Sequence, residues 1–135
     1  MRVYFIFQIK EEFRKLYEGR ESKLFSILKS IYRLSMDEVE YGYTLLNQVT
    51  SCIDQDLINR DLYVHLHREA PYSYKNGIHY YNQLYKNEVS RLVVKHHFMK
   101  IEVDQEKSSF FPELESFHKN LFVCDFHTSN FFYIS

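Results

Sequence analysis

The chain has 135 residues, 45% hydrophobic and 26% charged, with a formal net charge of -1 at pH 7. That size and balance predict one soluble globular domain over residues 1–135 and exclude an intrinsically disordered chain. The charge also argues against a protein that binds nucleic acid by neutralising phosphates, because there is no excess of Lys and Arg to displace counterions.

Residues 3–9 alternate well enough for a strand, apolar on both faces near the middle, and are expected at the centre of a sheet. Residues 10–18 switch to helical spacing, with Glu11 placed to pair with Lys15 and Gly19 as a left-handed stop. A second helix begins near residues 20–22. Leu24, Ile27, Leu28 and Ile31 form its buried stripe, with Phe25 and Tyr32 at the edge. A third helix has a capping box in Ser35 and Glu38 and a staple in Leu34 and Val39. Its expected core face is Val39, Tyr43, Leu46, Thr50 and Ile53, while Tyr41, Leu45, Gln48 and Cys52 point elsewhere. Residues 62–67 read as a strand. Tyr74, Ile78, Tyr81 and Leu84 or Tyr85 return to helical spacing across Gly77. Residues 92–94 and 99–103 read as strands joined by a tight turn at His96 and His97, and residues 110–117 as a helix with Pro112 in its first turn. Residues 121–126 and 131–134 close the chain as a hairpin. The fold class is therefore α/β of the mixed α+β kind: a mixed sheet of about five to six strands with helices packed on it.

Twelve Tyr and 12 Phe without Trp make the chain rich in rings for its size, so some are expected to be partly exposed anchors. Cys52 and Cys124 both sit in apolar contexts and read as buried thiols of a cytoplasmic protein. The opening apolar run is too short for a signal peptide, and no run reaches membrane-spanning length. Candidate chemistry is thin. His65 and His67 would share a strand face near His96 and His97, but no HExxH or CxxC spacing completes a metal set, so no metal and no cofactor are expected. Cys124, Asp125 and His127 are close in sequence, yet strand neighbours point to opposite faces and Cys124 lies in a core-like run. Tyr80, Tyr81, Tyr85 and Lys86 interleave rings with charge, which supplies an alternative reading as a module for single-stranded nucleic acid.

The block from Ile9 to Ser22 stands apart. Phe13 and Tyr17 are one turn apart on the same helix face, with Leu16 expected to turn inward and Lys10, Arg14 and Lys15 around the edge. An aromatic pair within a charged rim is the anatomy of a protein-binding hot spot. The run Ile9-Lys10-Glu11-Glu12-Phe13, then Tyr17, Gly19-Arg20-Glu21-Ser22 and Phe25, resembles the N-terminal signature of the SirA family of sporulation inhibitors of replication. Leu121 to Phe126, a polar turn and an aromatic strand resemble that family's closing hairpin. The resemblance implies a non-enzymatic inhibitor that binds domain I of the replication initiator DnaA. It assigns partner binding to Phe13 and Tyr17 on the first helix, with a polar contact at Gln48 or its neighbour Asn47 and orienting contacts from Lys10 or Arg14. It also implies a short tail beyond Ser135.

Overall fold

A computed structural model describes residues 1–134, the side chains of residues 35–37 and 117 excepted. The strand β1 (Arg2–Gln8) sorts the core. Its even residues Tyr4 and Ile6 enter one apolar cluster and its odd residues Phe5 and Phe7 enter another, because side chains alternate across a strand. After it come α1 (Glu11–Leu16), α2 (Glu21–Asp37), α3 (Val39–Val49) and α4 (Gln55–Leu66). The rest of the chain runs β2 (Tyr72–Lys75), β3 (Ile78–Gln83), β4 (Glu88–Val94), β5 (Met99–Val103), α5 (Phe110–Phe117), β6 (Leu121–Asp125) and β7 (Asn130–Tyr133).

The strands form one seven-stranded sheet in the order β2-β3-β4-β5-β1-β6-β7. β1 is interior, as expected. Every pairing is antiparallel, so the sheet is not of mixed direction and has more strands than the sequence suggested, within the same α+β class.

Helices cover the sheet on both sides. Ile58, Leu62 and Leu66 of α4 and Phe110, Phe111 and Leu114 of α5 join Tyr4 and Ile6 on one face. Leu24, Leu28 and Ile31 of α2 and Leu46 and Val49 of α3 join Phe5 and Phe7 on the other. Burying each of these large side chains contributes about 1.5–3 kcal/mol. All five residues of β6 are buried, because this strand has helices over both faces. The layer of α1, α2 and α3 covers β1, β6 and β7; on the same face, β4 and β5 carry Arg91 paired with Glu102 at 3.1 Å.

Four local expectations are corrected. Residues 62–67 are the end of α4, not a strand: Ile58, Leu62 and Leu66 recur at helical spacing, and the Asp54 carboxylate accepts from the Leu57 amide at 3.2 Å to start the helix. The region around Gly77 is the β2–β3 hairpin, not a helix. Asn76 and Gly77 both take positive φ (54° and 77°), the two-residue turn that suits antiparallel strands. α3 starts one residue after Glu38, which is its cap residue and makes no side-chain capping bond, while the Ser35 backbone lies within α2, so the expected capping box does not form; Val39 is exposed, so the expected staple does not form either. β4 begins at Glu88 rather than near residue 92. Its early inward positions are polar but satisfied: Glu88 accepts from the Ser109 amide at 2.9 Å and from the Ser90 hydroxyl at 2.5 Å.

Candidate partner-binding surface

Two segments distant in sequence are fastened at one edge of the helical layer. As the chain leaves β1, Ile9 bridges Thr50, the Ser51 amide donates to the Gln8 carbonyl at 2.8 Å, and the Lys10 amide donates to the Val49 carbonyl at 3.0 Å. The start of α1 therefore sits against the end of α3. α1 has six residues, with Glu11 and Glu12 in its first turn and Arg14 and Lys15 in its last, which complements the helix dipole. Gly19 follows with φ 78°, a conformation that costs a residue with a Cβ about 1 kcal/mol or more. Arg20 folds back to donate to the Leu16 carbonyl at 2.7 Å and lies 5.9 Å from the Tyr17 ring.

Asn120 braces α1 from below. Its backbone carbonyl accepts from the Ile9 amide at 2.9 Å, and its side chain accepts from Arg14 at 2.5 Å and donates to Glu11 at 2.6 Å. The Arg14 guanidinium also lies 4.3 Å from the Tyr133 ring centre. Arg14 thus ties α1 to β7 instead of standing on the outer rim, and Glu11 is engaged by Asn120.

Phe13 and Tyr17 are half-buried against the cluster beneath α2 and α3, and Leu16 is 53% exposed. The expected orientation is therefore reversed for Leu16. Phe13 and Tyr17, at i and i+4, form the stripe that packs, and Leu16 lies about 100° round the helix from Tyr17 and faces solvent. Exposed apolar surface on α1 thus consists of Leu16 and, to one side of it, the outer parts of the two rings.

Asn47 and Gln48 are both exposed in the last turn of α3. They differ in occupation. Asn47 Oδ1 bonds His97 Nδ1 at 3.0 Å, whereas Gln48 borders an open apolar trough between α2 and α3, about 370 Å³, lined also by Ile27, Ile31, Leu45 and Val49. Lys10 is half-buried, and its backbone carries the bond to Val49. The geometry thus gathers Lys10, Asn47 and Gln48 around the α1–α3 junction and turns Arg14 away from it. Sequence reasoning missed Leu16 and the Ile27–Leu45 trough; Leu45 standing off the core face of α3 was the available signal.

The other candidates separate in space. Cys124 is fully buried, and burial pushes its thiol well above the ordinary range. Asp125 turns to the hairpin, accepting from the Thr128 hydroxyl at 2.7 Å and the His127 amide at 3.1 Å. Tyr81 is buried in the core while Tyr85 is 98% exposed, so the rings proposed to stack bases do not form one platform. His65 lies in α4 and His67 caps its end. His96 and His97 instead come beside Cys52, which is exposed rather than buried as expected. Burial and the neighbouring His96 lower the His97 pKa below its ordinary value of 6.5. No helix among the described residues is long and apolar enough to cross a membrane.

The family profile described as "Sporulation inhibitor of replication protein SirA" matches residues 2–135. The chain belongs to the SirA family. This membership gives a SirA-type chain the role of a sporulation-linked inhibitor of replication, a regulatory function. The match spans both the α1 block and the closing β6–β7 hairpin, the two stretches joined here through Asn120, Arg14 and Tyr133. No curated protein shows a significant match that would add a named relative.

Proposed function

We propose that this SirA-family chain inhibits replication by binding domain I of the initiator DnaA through the α1–α3 junction and occluding that domain. The observation that supports it is the exposed Leu16 beside the half-buried rings of Phe13 and Tyr17, on a helix fastened beside Gln48. Leu16 and the ring edges supply the apolar contact, while Gln48 and the Lys10 ammonium orient the partner from the rim. A contact of this size concentrates its affinity in a few side chains, which suits a regulator made on demand.

The test is capture of isolated domain I and of full-length initiator by the purified chain. Leu16→Glu and Gln48→Ala are expected to weaken capture at least about tenfold, the loss of one or two hot-spot contacts, with an unchanged melting temperature. Unaltered capture by both variants would move the interface elsewhere.

A further inference from the structure

We propose that Cys52, His96 and His97 form a binding site for a late first-row divalent metal ion, zinc above all. One ligand atom from each, a thiol sulfur and two ring nitrogens, lies within 4.8 Å of the others. A thiolate with two imidazoles is a borderline-soft donor set that suits zinc, cobalt, nickel or copper and disfavours magnesium and calcium.

The set comes from two distant segments of the chain, Cys52 on one and the adjacent His96 and His97 on the other, and the backbone holds them together. The Ile53 amide donates to the His96 carbonyl at 2.8 Å, which fastens the segment carrying Cys52 to the β4–β5 turn. That turn is closed by Lys95 N–H to the Phe98 carbonyl at 2.9 Å, and the segment is pinned from the other side by Ser51 N–H to the Gln8 carbonyl at 2.8 Å.

His97 is also set up electronically. Its Nδ1 lies 3.0 Å from the Asn47 side-chain carbonyl, which can only accept, so Nδ1 carries the proton and Nε2 keeps the lone pair. A ring N–H anchored on a carbonyl is how metal-binding histidines are fixed in tautomer and orientation. The Tyr43 ring stacks on the same imidazole with centres 4.5 Å apart and restrains its plane.

Tetrahedral zinc with these ligands spaces them about 3.3–3.6 Å apart, so side-chain rotation of about 1 Å closes the set. Binding releases the Cys52 thiol proton to solvent. Cys52 and His96 are exposed, which leaves the fourth position for water or for a carboxylate or imidazole of a docked protein.

Stoichiometric Co²⁺ added to the reduced full-length chain is the direct probe. The expected result is a thiolate-to-cobalt charge-transfer band that saturates at one equivalent and is bleached by Zn²⁺. Cys52→Ser should abolish the band, and His96→Ala should weaken binding at least about tenfold, with circular dichroism unchanged for both. Independently, one equivalent of Zn²⁺ should protect Cys52 from a thiol reagent in the wild type and not in His97→Ala. Absence of a charge-transfer band, or a band that survives Cys52→Ser, overturns the site.

Discussion

At the scale of single residues, half-burial gives Phe13 and Tyr17 two separable roles. Their inner parts pack on the α2–α3 cluster, so Phe13→Ala and Tyr17→Ala should each cost about 1–2 kcal/mol of stability, besides any loss of partner capture. Leu16 and Gln48 are exposed, and replacing them should stay within about 0.5 kcal/mol of wild type in urea unfolding. A binding defect in the second pair without a stability defect is thus the cleaner evidence for an interface. His79 makes a different prediction. It is fully buried, between the Tyr72 hydroxyl at 2.7 Å and the Asn59 carbonyl at 2.8 Å, and burial lowers its pKa from 6.5 to about 4. Between those two values the unfolded chain carries a proton that the folded chain refuses, so acid favours unfolding. Stability should fall by about 2 kcal/mol from about pH 7 to about pH 5 through this residue alone. His79→Gln, which has an amide but no titration, should flatten that part of the profile; an equal slope in both proteins would assign the acid sensitivity to other groups.

At the scale of elements, the β2–β3 turn offers the sharpest test. Gly77 has φ 77° and open space where a Cβ would sit, so Gly77→Ala meets no clash and the cost is that of the backbone conformation. A loss of about 1 kcal/mol by denaturant unfolding is expected. The same hairpin shows why part of the fold was hidden from sequence reading. Tyr74, Ile78, Tyr81 and Tyr85 fall near helical spacing, yet burial follows Tyr72, His79 and Tyr81, whose alternation is set by the turn at Asn76 and Gly77. In α4 the misreading ran the other way. Leu62, Val64 and Leu66 alternate like a strand, but Val64 is 58% exposed and the true stripe begins at Ile58, outside that window. β1, α2, β5, α5 and the last hairpin were legible because each has a long run of one period or a strong boundary signal. For the candidate surface, the helical pairing of Phe13 with Tyr17 could be read locally. The direction of Leu16 could not, because on a six-residue helix it depends on what the neighbouring elements cover. Nothing local connects Cys52 to His96 and His97; their meeting depends on where β1 ends and where β4 turns into β5.

At the scale of the whole molecule, layering on both faces of the sheet divides the two thiols by access. Cys124 lies in β6 between two helical layers, and Cys52 lies on the surface at the end of α3. In metal-free buffer the native chain should react rapidly with one equivalent of a thiol reagent, and with a second only when it unfolds globally. Rapid reaction of both would mean that β6 is exposed in the native state. The seam between residues 8–10 and 49–51 has a consequence of its own. A helix as short as α1 does not persist in water by itself, since nucleation costs more than so few turns return. Its form is borrowed from the seam and from Asn120, contributed by regions about forty and more than a hundred residues away in sequence. What it presents to solvent is a discontinuous epitope: a synthetic peptide copying residues 9–22 would carry the side chains without their arrangement, whereas the folded chain offers them already ordered, with little entropy left to lose on capture.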